Sequence, residues 1–283
     1  MKLPITAIVL TFNEERNIRD CLLSISDHFE KIYVVDSGST DNTINIVNEF
    51  GIEVINHPFE NYAIQRNWCF SNLKIHTDWI INIDADHRVT NELIQELYYF
   101  FSNNYDLSSI NGFHVSRRTI FMGKWIKNGG HYPVYHAIIF RKSKGICEDK
   151  KYDQHFLVEG KMLKLKGDII DIITDSLSTF TLRHNKWSTL EAEYIFNAQF
   201  SEQTIKANAK GNEIEKRRFL REKYYSYPLF TRVFIYFIYR YFIKFGFLDG
   251  KEGLVFHFLQ GFWFRFIVDA KIYELRKNAN AKS

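Results

Sequence analysis

Four short apolar runs, Ile5–Leu10, Ile32–Val35, Ile52–Ile55 and Trp79–Ile83, recur through the first part of the chain, with helical periodicity between them. Ile18, Cys21, Leu22 and Ile25 share one helical face, Ile44, Ile46 and Val47 line a second helix, and a third is expected over Tyr62 to Leu73. Strands that are apolar on consecutive residues need cover on both faces, and strand–helix–strand units with right-handed crossovers make their neighbours parallel. The pattern predicts an α/β fold, Rossmann-like, with a mostly parallel sheet and helices on both faces.

Each run then breaks off into polar residues. Thr11-Phe12-Asn13-Glu14 follows the first, Asp36-Ser37-Gly38-Ser39-Thr40-Asp41 the second, and Asp84-Ala85-Asp86 the fourth. In an open α/β sheet ligands bind beyond the carboxyl ends of the strands, so these segments are expected on one rim. Asp84 and Asp86 are spaced to face one divalent cation, Mg²⁺ or Mn²⁺, which takes one or two carboxylates and completes its shell with phosphate oxygens and water. Asp36 can accept from a ribose hydroxyl or a base N–H. Arg66 offers a fork for a base carbonyl or a phosphate.

Other chemistries are disfavoured. Lysine and arginine total 37 against 33 acidic residues, so a net charge of +4 excludes a nucleic-acid binder held by a dense basic surface. The three cysteines form no CxxC pair, which argues against a disulfide framework or a cysteine-built zinc site and for a reducing compartment. No P-loop or Rossmann dehydrogenase glycine signature follows a strand. His131 and His136 lack metal-ligand spacing for a zinc hydrolase. A sugar-nucleotide nucleotidyltransferase would share the acidic site but needs a Gly-rich basic loop where Thr11-Phe12-Asn13-Glu14 stands. A catalytically silent sugar-binding protein at the membrane is the other alternative. No signal peptide is read at the amino terminus, and the Ile5–Leu10 run is too short to span a bilayer, so a cytoplasmic location is expected.

Residues 104–205 are looser in pattern, with strands expected at Gly112–Val115, Ala137–Phe140 and Lys161–Lys166, and read as the acceptor half of one domain whose nucleotide half is 1–103. Arg117 and Arg118 are expected to be a solvated pair. Arg183-His184-Asn185-Lys186-Trp187 is either a diphosphate grip or a helix start without a ligand. Residues 206–283 differ in kind. Aromatic residues make up 17% of the chain, with 26 Phe and 16 Tyr, more than its core needs, and many fall here. Arg232, Tyr236, Arg240 and Lys244 recur every fourth residue, as do His257, Gly261, Arg265 and Asp269. Helices of this design are expected to lie in the membrane interface with the cationic stripe toward head groups, aided by Lys216-Arg217-Arg218 and Arg221-Glu222-Lys223. The competing expectation is a pair of buried helices whose charges snorkel outward.

The three motifs Ile-Val-Leu-Thr-Phe-Asn-Glu-Glu, Val-Val-Asp-Ser-Gly-Ser-Thr-Asp-Asn-Thr and Asp-Ala-Asp, in this order, resemble glycosyltransferase family 2. Gly123-Lys124-Trp125-Ile126, Gly129-Gly130-His131-Tyr132-Pro133 and Gly246 to Gly253 extend the likeness to bacterial lipopolysaccharide-core and capsule glycosyltransferases. The resemblance implies a GT-A fold and an inverting transfer of a sugar from a nucleotide donor, usually uridine diphosphate-linked, to a lipid-linked or glycan acceptor at the inner face of the cytoplasmic membrane. It implies that Thr11, Asn13, Glu14, Asp36 and Arg66 hold the nucleotide, that Asp84 faces ribose and diphosphate, and that Asp86 is the direct metal ligand. Lys124, Trp125, Gly130, His131 and Tyr132, with Gln154 and His155, are expected to meet donor or acceptor sugar.

Inversion also needs a general base for the acceptor hydroxyl. Asp153 is the first candidate, with Asp149 and Glu148 in reserve. At this point the relatives carry Val-His-Glu where this chain has Tyr152-Asp153-Gln154.

Overall fold

The apolar runs become strands because β-branched residues on both faces are buried between helices. The computed structural model describes residues 1–102, 105–149, 154–173, 176–197, 207–211 and 213–281. In chain order the elements begin with β1 (Leu3–Thr11), α1 (Ile18–Leu23), β2 (Phe29–Asp36), α2 (Thr43–Glu49), β3 (Glu53–Asn56) and α3 (Tyr62–Asn72). β4 (Trp79–Asp84), β5 (His87–Val89), α4 (Asn91–Phe101), β6 (Ile110–Phe121), β7 (Lys124–Trp125) and β8 (Tyr135–Arg141) follow. Next come β9 (Gly145–Cys147), β10 (Phe156–Val158), β11 (Lys161–Ile172), α5 (Leu177–Asn197) and α6 (Glu213–Ser226). The last helices are α7 (Thr231–Ile238), α8 (Gly250–Phe256) and α9 (Phe264–Asn280).

The chain divides into two compact units, residues 1–119 with 133–172, and residues 120–132 with 173–283. The boundary therefore runs through β6 and before α5 rather than near residue 205.

The first unit carries the sheet, in the order β3-β2-β1-β4-β8-β6-β11-β5. β1, β2, β3 and β4 pair in parallel, whereas β8 joins β4 antiparallel, β6 joins β8 antiparallel and β5 joins β11 antiparallel. The parallel pairing thus runs through β3, β2, β1 and β4, and antiparallel pairing takes over from β8 onward. Ile5, Ile8, Val34, Val35, Ile80 and Ile81 are buried within one continuous core. The parallel register brings Thr11 opposite Asp36 and Leu10 opposite Asp84, so three strands end level.

The second unit is mainly helical, with a small aromatic core of Phe121, Ile126, Phe180 and Phe256. Its two polar stripes turn inward. Arg232, 3% exposed, grips Asp269 with Nε at 2.9 and 3.1 Å from the two carboxylate oxygens, and Asp269 also accepts from the Phe230 amide at 2.7 Å. Arg265 donates to Glu191 at 2.9 Å, and Glu191 also accepts from Arg221 and Tyr225. Arg240 donates to the Gly129 carbonyl at 2.5 Å and to Tyr236 at 2.7 Å. A Cβ on Gly261 would lie 3.9 Å from Phe237, so the second stripe passes close to the first helix. This corrects the expected orientation: cations that find buried carboxylates are not turned outward to head groups, and Arg218 and Arg221 are likewise directed into the unit. Lys244 is the exception, exposed at the end of its stripe.

Candidate active site

The metal candidates sit in the tight turn that joins β4 to β5. Asp84 closes β4, Ala85 and Asp86 make the turn, and His87 opens β5. Ligand atoms of Asp84, Asp86 and His87 lie within 4.8 Å of one another. The turn is pinned from both sides, since the Ala85 amide donates to the Leu10 carbonyl at 3.0 Å and the Ile172 amide to the Asp86 carbonyl at 3.0 Å. Arg88 ties the Ala85 carbonyl to Asn17 of the α1 entry. The two aspartates converge through a turn, not through an extended i, i+2 pair.

His87 was not singled out by its sequence position, although its place directly after Asp-Ala-Asp is the signal. The Asp84 amide donates to its Nδ1 at 3.1 Å. Nδ1 is then the acceptor and the proton resides on Nε2, which lies 3.9 Å from an Asp84 oxygen and 3.8 Å from an Asp86 oxygen. In this tautomer Nε2–H faces the two carboxylates. Burial pushes its pKa down, against the charges of Asp84 and Asp171. Two aspartate oxygens brought together in this way suit a hard divalent cation.

Arg66 takes a different part from the one expected. It is fully buried, and its terminal amino groups donate to the Ile8 carbonyl at 3.0 Å, the Ile83 carbonyl at 2.8 Å and Asp84 Oδ1 at 2.6 Å. A fork so engaged reaches no base or phosphate directly; it fixes Asp84 at the end of β4. Burial raises the Asp84 carboxyl, but the Arg66 charge, with His87 and Arg117, more than offsets this and leaves its pKa below the usual value. Tyr62 completes the arrangement, its ring under Arg66 and its hydroxyl 3.4 Å from Asp84.

The other rim residues divide into scaffold and open donors. Asp36 is 2% exposed and accepts from the Gly38 and Ser39 amides at 2.8 and 2.9 Å and from Ser39 Oγ at 2.5 Å, so it shapes the loop after β2. Asn13, at φ 53°, accepts from the Thr40 amide at 2.8 Å, and the Glu14 amide donates to Thr43 at 2.8 Å. These bonds lace the loop after β1 to the loop after β2. Thr11 is only 4% exposed, yet its hydroxyl has no partner among the described residues.

The opposing wall comes from β9, β10 and β11. Asn67, beside Arg66, exchanges hydrogen bonds with the Cys147 amide and carbonyl at 2.8 and 2.9 Å, docking the β9–β10 hairpin on α3. Glu148 follows this hairpin strand, 1% exposed, with His155 at 3.9 Å; Asp149 is exposed and Gln154 half-buried. Asp153 lies outside the described residues. Arg118 pairs with buried Asp168 at 2.9 Å, and Arg117 with Asp171 at 3.4 Å, so neither is the solvated arginine expected. Asp171 sits opposite His87 across β11 and β5, which brings the Arg117 charge to bear on both Asp84 and His87.

Lys124, Trp125, Gly130, His131 and Tyr132 belong to the second unit. Lys124 is 3.5 Å from Glu252, Trp125 packs edge-on to Tyr132, and His131 accepts from Arg240 at 3.0 Å. His184 is also there, stacked on Phe180 at 3.8 Å and bonded to the Phe180 carbonyl at 2.8 Å, so its cluster is structural and grips no diphosphate through this ring.

The family model of glycosyl transferase family 2 matches residues 6–150, more than half of the chain, and contains the ends of β1, β2 and β4. The chain belongs to glycosyl transferase family 2. The chain is 25% identical over 280 residues to lipopolysaccharide core biosynthesis glycosyltransferase LpsC of Rhizobium meliloti, covering 96% of this chain and 93% of that protein. It is 38% identical over 100 residues to an uncharacterized glycosyltransferase of Rickettsia felis, and spans only 35% of that relative's length. Among solved structures, glucosyl-3-phosphoglycerate synthase from Mycobacterium tuberculosis, in complex with Mn²⁺, uridine diphosphate and glucosyl-3-phosphoglycerate, is 20% identical. That likeness covers 41% of this chain and 44% of the other, with a TM-score of 0.31. Family membership sets the nucleotidyltransferase reading aside.

Proposed function

We propose that the transferase moves a sugar, with inversion, from a uridine diphosphate donor to a saccharide acceptor of a bacterial surface polysaccharide, working at the inner face of the cytoplasmic membrane on a lipid-linked or glycan substrate. The observation that carries this reading is the level rim of β1, β2 and β4, where Thr11, with its unpartnered buried hydroxyl, ends β1 and Asp84, held by buried Arg66, ends β4 just before Asp86. The likeness to LpsC over nearly the whole chain supports a lipopolysaccharide-type acceptor.

In this reading the loops laced by Asn13 and Asp36 receive the nucleoside, and Thr11 meets its ribose or phosphate. Asp86 and Asp84 would hold Mg²⁺ or Mn²⁺, which would supply positive charge to the diphosphate. Arg117, steered by Asp171, faces the same departing charge from β6. The acceptor oxygen attacks the anomeric carbon, its proton passes to a carboxylate of the 148–153 segment, and the nucleoside diphosphate leaves. Asp153 is the proposed base, with Asp149 and Glu148 as competitors. The sugar contacts of Gln154, His155 and of Lys124 to Tyr132 rest on the family resemblance.

A panel of nucleotide sugars with Mn²⁺ tests this by thermal shift. A uridine diphosphate sugar should raise the melting temperature, and Asp86→Ala should abolish the shift and lower turnover at least about 100-fold while leaving the unliganded protein folded. Donor binding that survives both chelation and Asp86→Ala would defeat the metal assignment. Parallel Asp153→Asn, Asp149→Asn and Glu148→Gln variants identify the base as the one that loses turnover with donor binding intact.

A further inference from the structure

The inward turn of the polar stripes leaves the other face of the C-terminal helices to solvent, and that face is apolar. Phe234, Ile235, Ile238, Phe242, Ile243 and Leu248 are each between 50% and 62% exposed. Phe245, 57% exposed, occupies left-handed backbone at φ 58°, where a bulky side chain is strained. An outward aromatic kept at a strained turn is the opposite of what solubility selects.

Within residues 229–251 the exposed charges are of one sign. Between Leu229 and Lys251 the only acidic residue is Asp249, which is buried and accepts from the Lys127 and Asn128 amides. Lys127, Lys244 and Lys251 are exposed, and Lys244 lies over Tyr239. Among the described residues no helix is long and apolar enough to cross a membrane.

We infer that the second unit inserts into one leaflet of an anionic bilayer by its aromatic face, with Lys127, Lys244 and Lys251 at head-group level. This is an inverted form of the interfacial helix: arginines close the unit from within, and hydrocarbon takes the apolar side. Attachment is therefore governed by buried apolar area, with the lysines adding a salt-sensitive increment. The inference deepens the membrane placement proposed above. It is tested by lipid binding alone, so its failure leaves the transfer chemistry standing.

The full-length chain is floated with vesicles of phosphatidylethanolamine and phosphatidylglycerol. It should stay with lipid in 1 M NaCl and leave only in detergent. Joint Phe242→Glu and Leu248→Glu substitution should weaken binding by roughly a hundredfold with an unchanged circular dichroism spectrum and unchanged nucleotide binding. Lys244→Ala should weaken it about fivefold at low salt. Phe242→Trp should be quenched by brominated acyl chains. Release of the wild type by 1 M NaCl would overturn insertion in favour of a surface electrostatic contact. A stable dimer that ignores vesicles, and that the double substitution converts to monomer, would overturn it in favour of a second copy of the chain.

Discussion

Arg66 shows how one residue changes meaning when its neighbours are known. As sequence it is a free fork; in the fold it is the buried counter-ion that fixes Asp84 and caps the Ile8 and Ile83 carbonyls. Arg66→Met should therefore act first on stability. Removing one partner of a buried ion pair costs about 3–5 kcal/mol, and the part exposure of Asp84 places the expectation near the lower end. Equilibrium denaturation checks this: a variant as stable as the wild type, with only a raised donor KM, would restore Arg66 to direct nucleotide contact. The places of Thr11, Asp84 and Asp86 were legible beforehand because each lies at or just past the end of an apolar run, and strand termini in a parallel sheet have a defined place. His87, Tyr62 and Arg117 were not, because what brings them to Asp84 is the turn at Ala85, the docking of α3 and the β11–β5 register, all of them tertiary. Asp36 lies between these cases, its position foreseen but its carboxylate given to the Gly38 and Ser39 amides.

At the scale of elements, periodicity foretold the helices of the last third but not which face they bury. The every-fourth-residue stripes suit two opposite arrangements, and only the partners decide: Asp269 for Arg232, Glu191 for Arg265, Gly129 for Arg240. The same contacts fasten the loop after β7. Asp249 accepts from its Lys127 and Asn128 amides, and the Gly129 amide donates to the Lys244 carbonyl at 2.9 Å. Gly129 has φ 68°, and a Cβ there would lie 2.1 Å from His257. Gly129→Ala should thus destabilise the second unit by roughly 2–4 kcal/mol, from left-handed strain plus displacement of a buried ring, whereas Gly123→Ala meets no neighbour and incurs only the backbone part. Equal losses in the two variants would refute the clash. α5 adds a pH dependence. Burial among Phe180, Trp187 and Phe264 lowers the His184 pKa to about 4. The unfolded chain then binds a proton near pH 6.5 that the folded chain refuses until about pH 4, so stability falls as pH drops through that window, by up to roughly 3 kcal/mol. His184→Phe should flatten this acid limb in urea titrations at stepped pH; an identical limb would assign it to other groups.

Taken whole, the molecule keeps its two kinds of apolar surface in different units. The first unit buries its aliphatic residues inside one core, and its polar groups converge on strand ends. The second buries charge and exposes aromatic residues, a distribution that composition could signal only as a surplus of Phe and Tyr. Each unit should then answer to its own ligand. Hydrogen exchange separates the two responses. Mn²⁺ with a uridine diphosphate sugar should slow exchange in the segments after β1 and β2 and in the Asp84–His87 turn, by about 2.7 kcal/mol of local stabilisation at a hundredfold excess over Kd. It should leave residues 231–266 unchanged. Vesicles should protect those helices and leave the strand ends as they were. Protection of both regions by either ligand alone would show that nucleotide and lipid sites are energetically linked, and each ligand would then have to tighten the other's binding by the same factor.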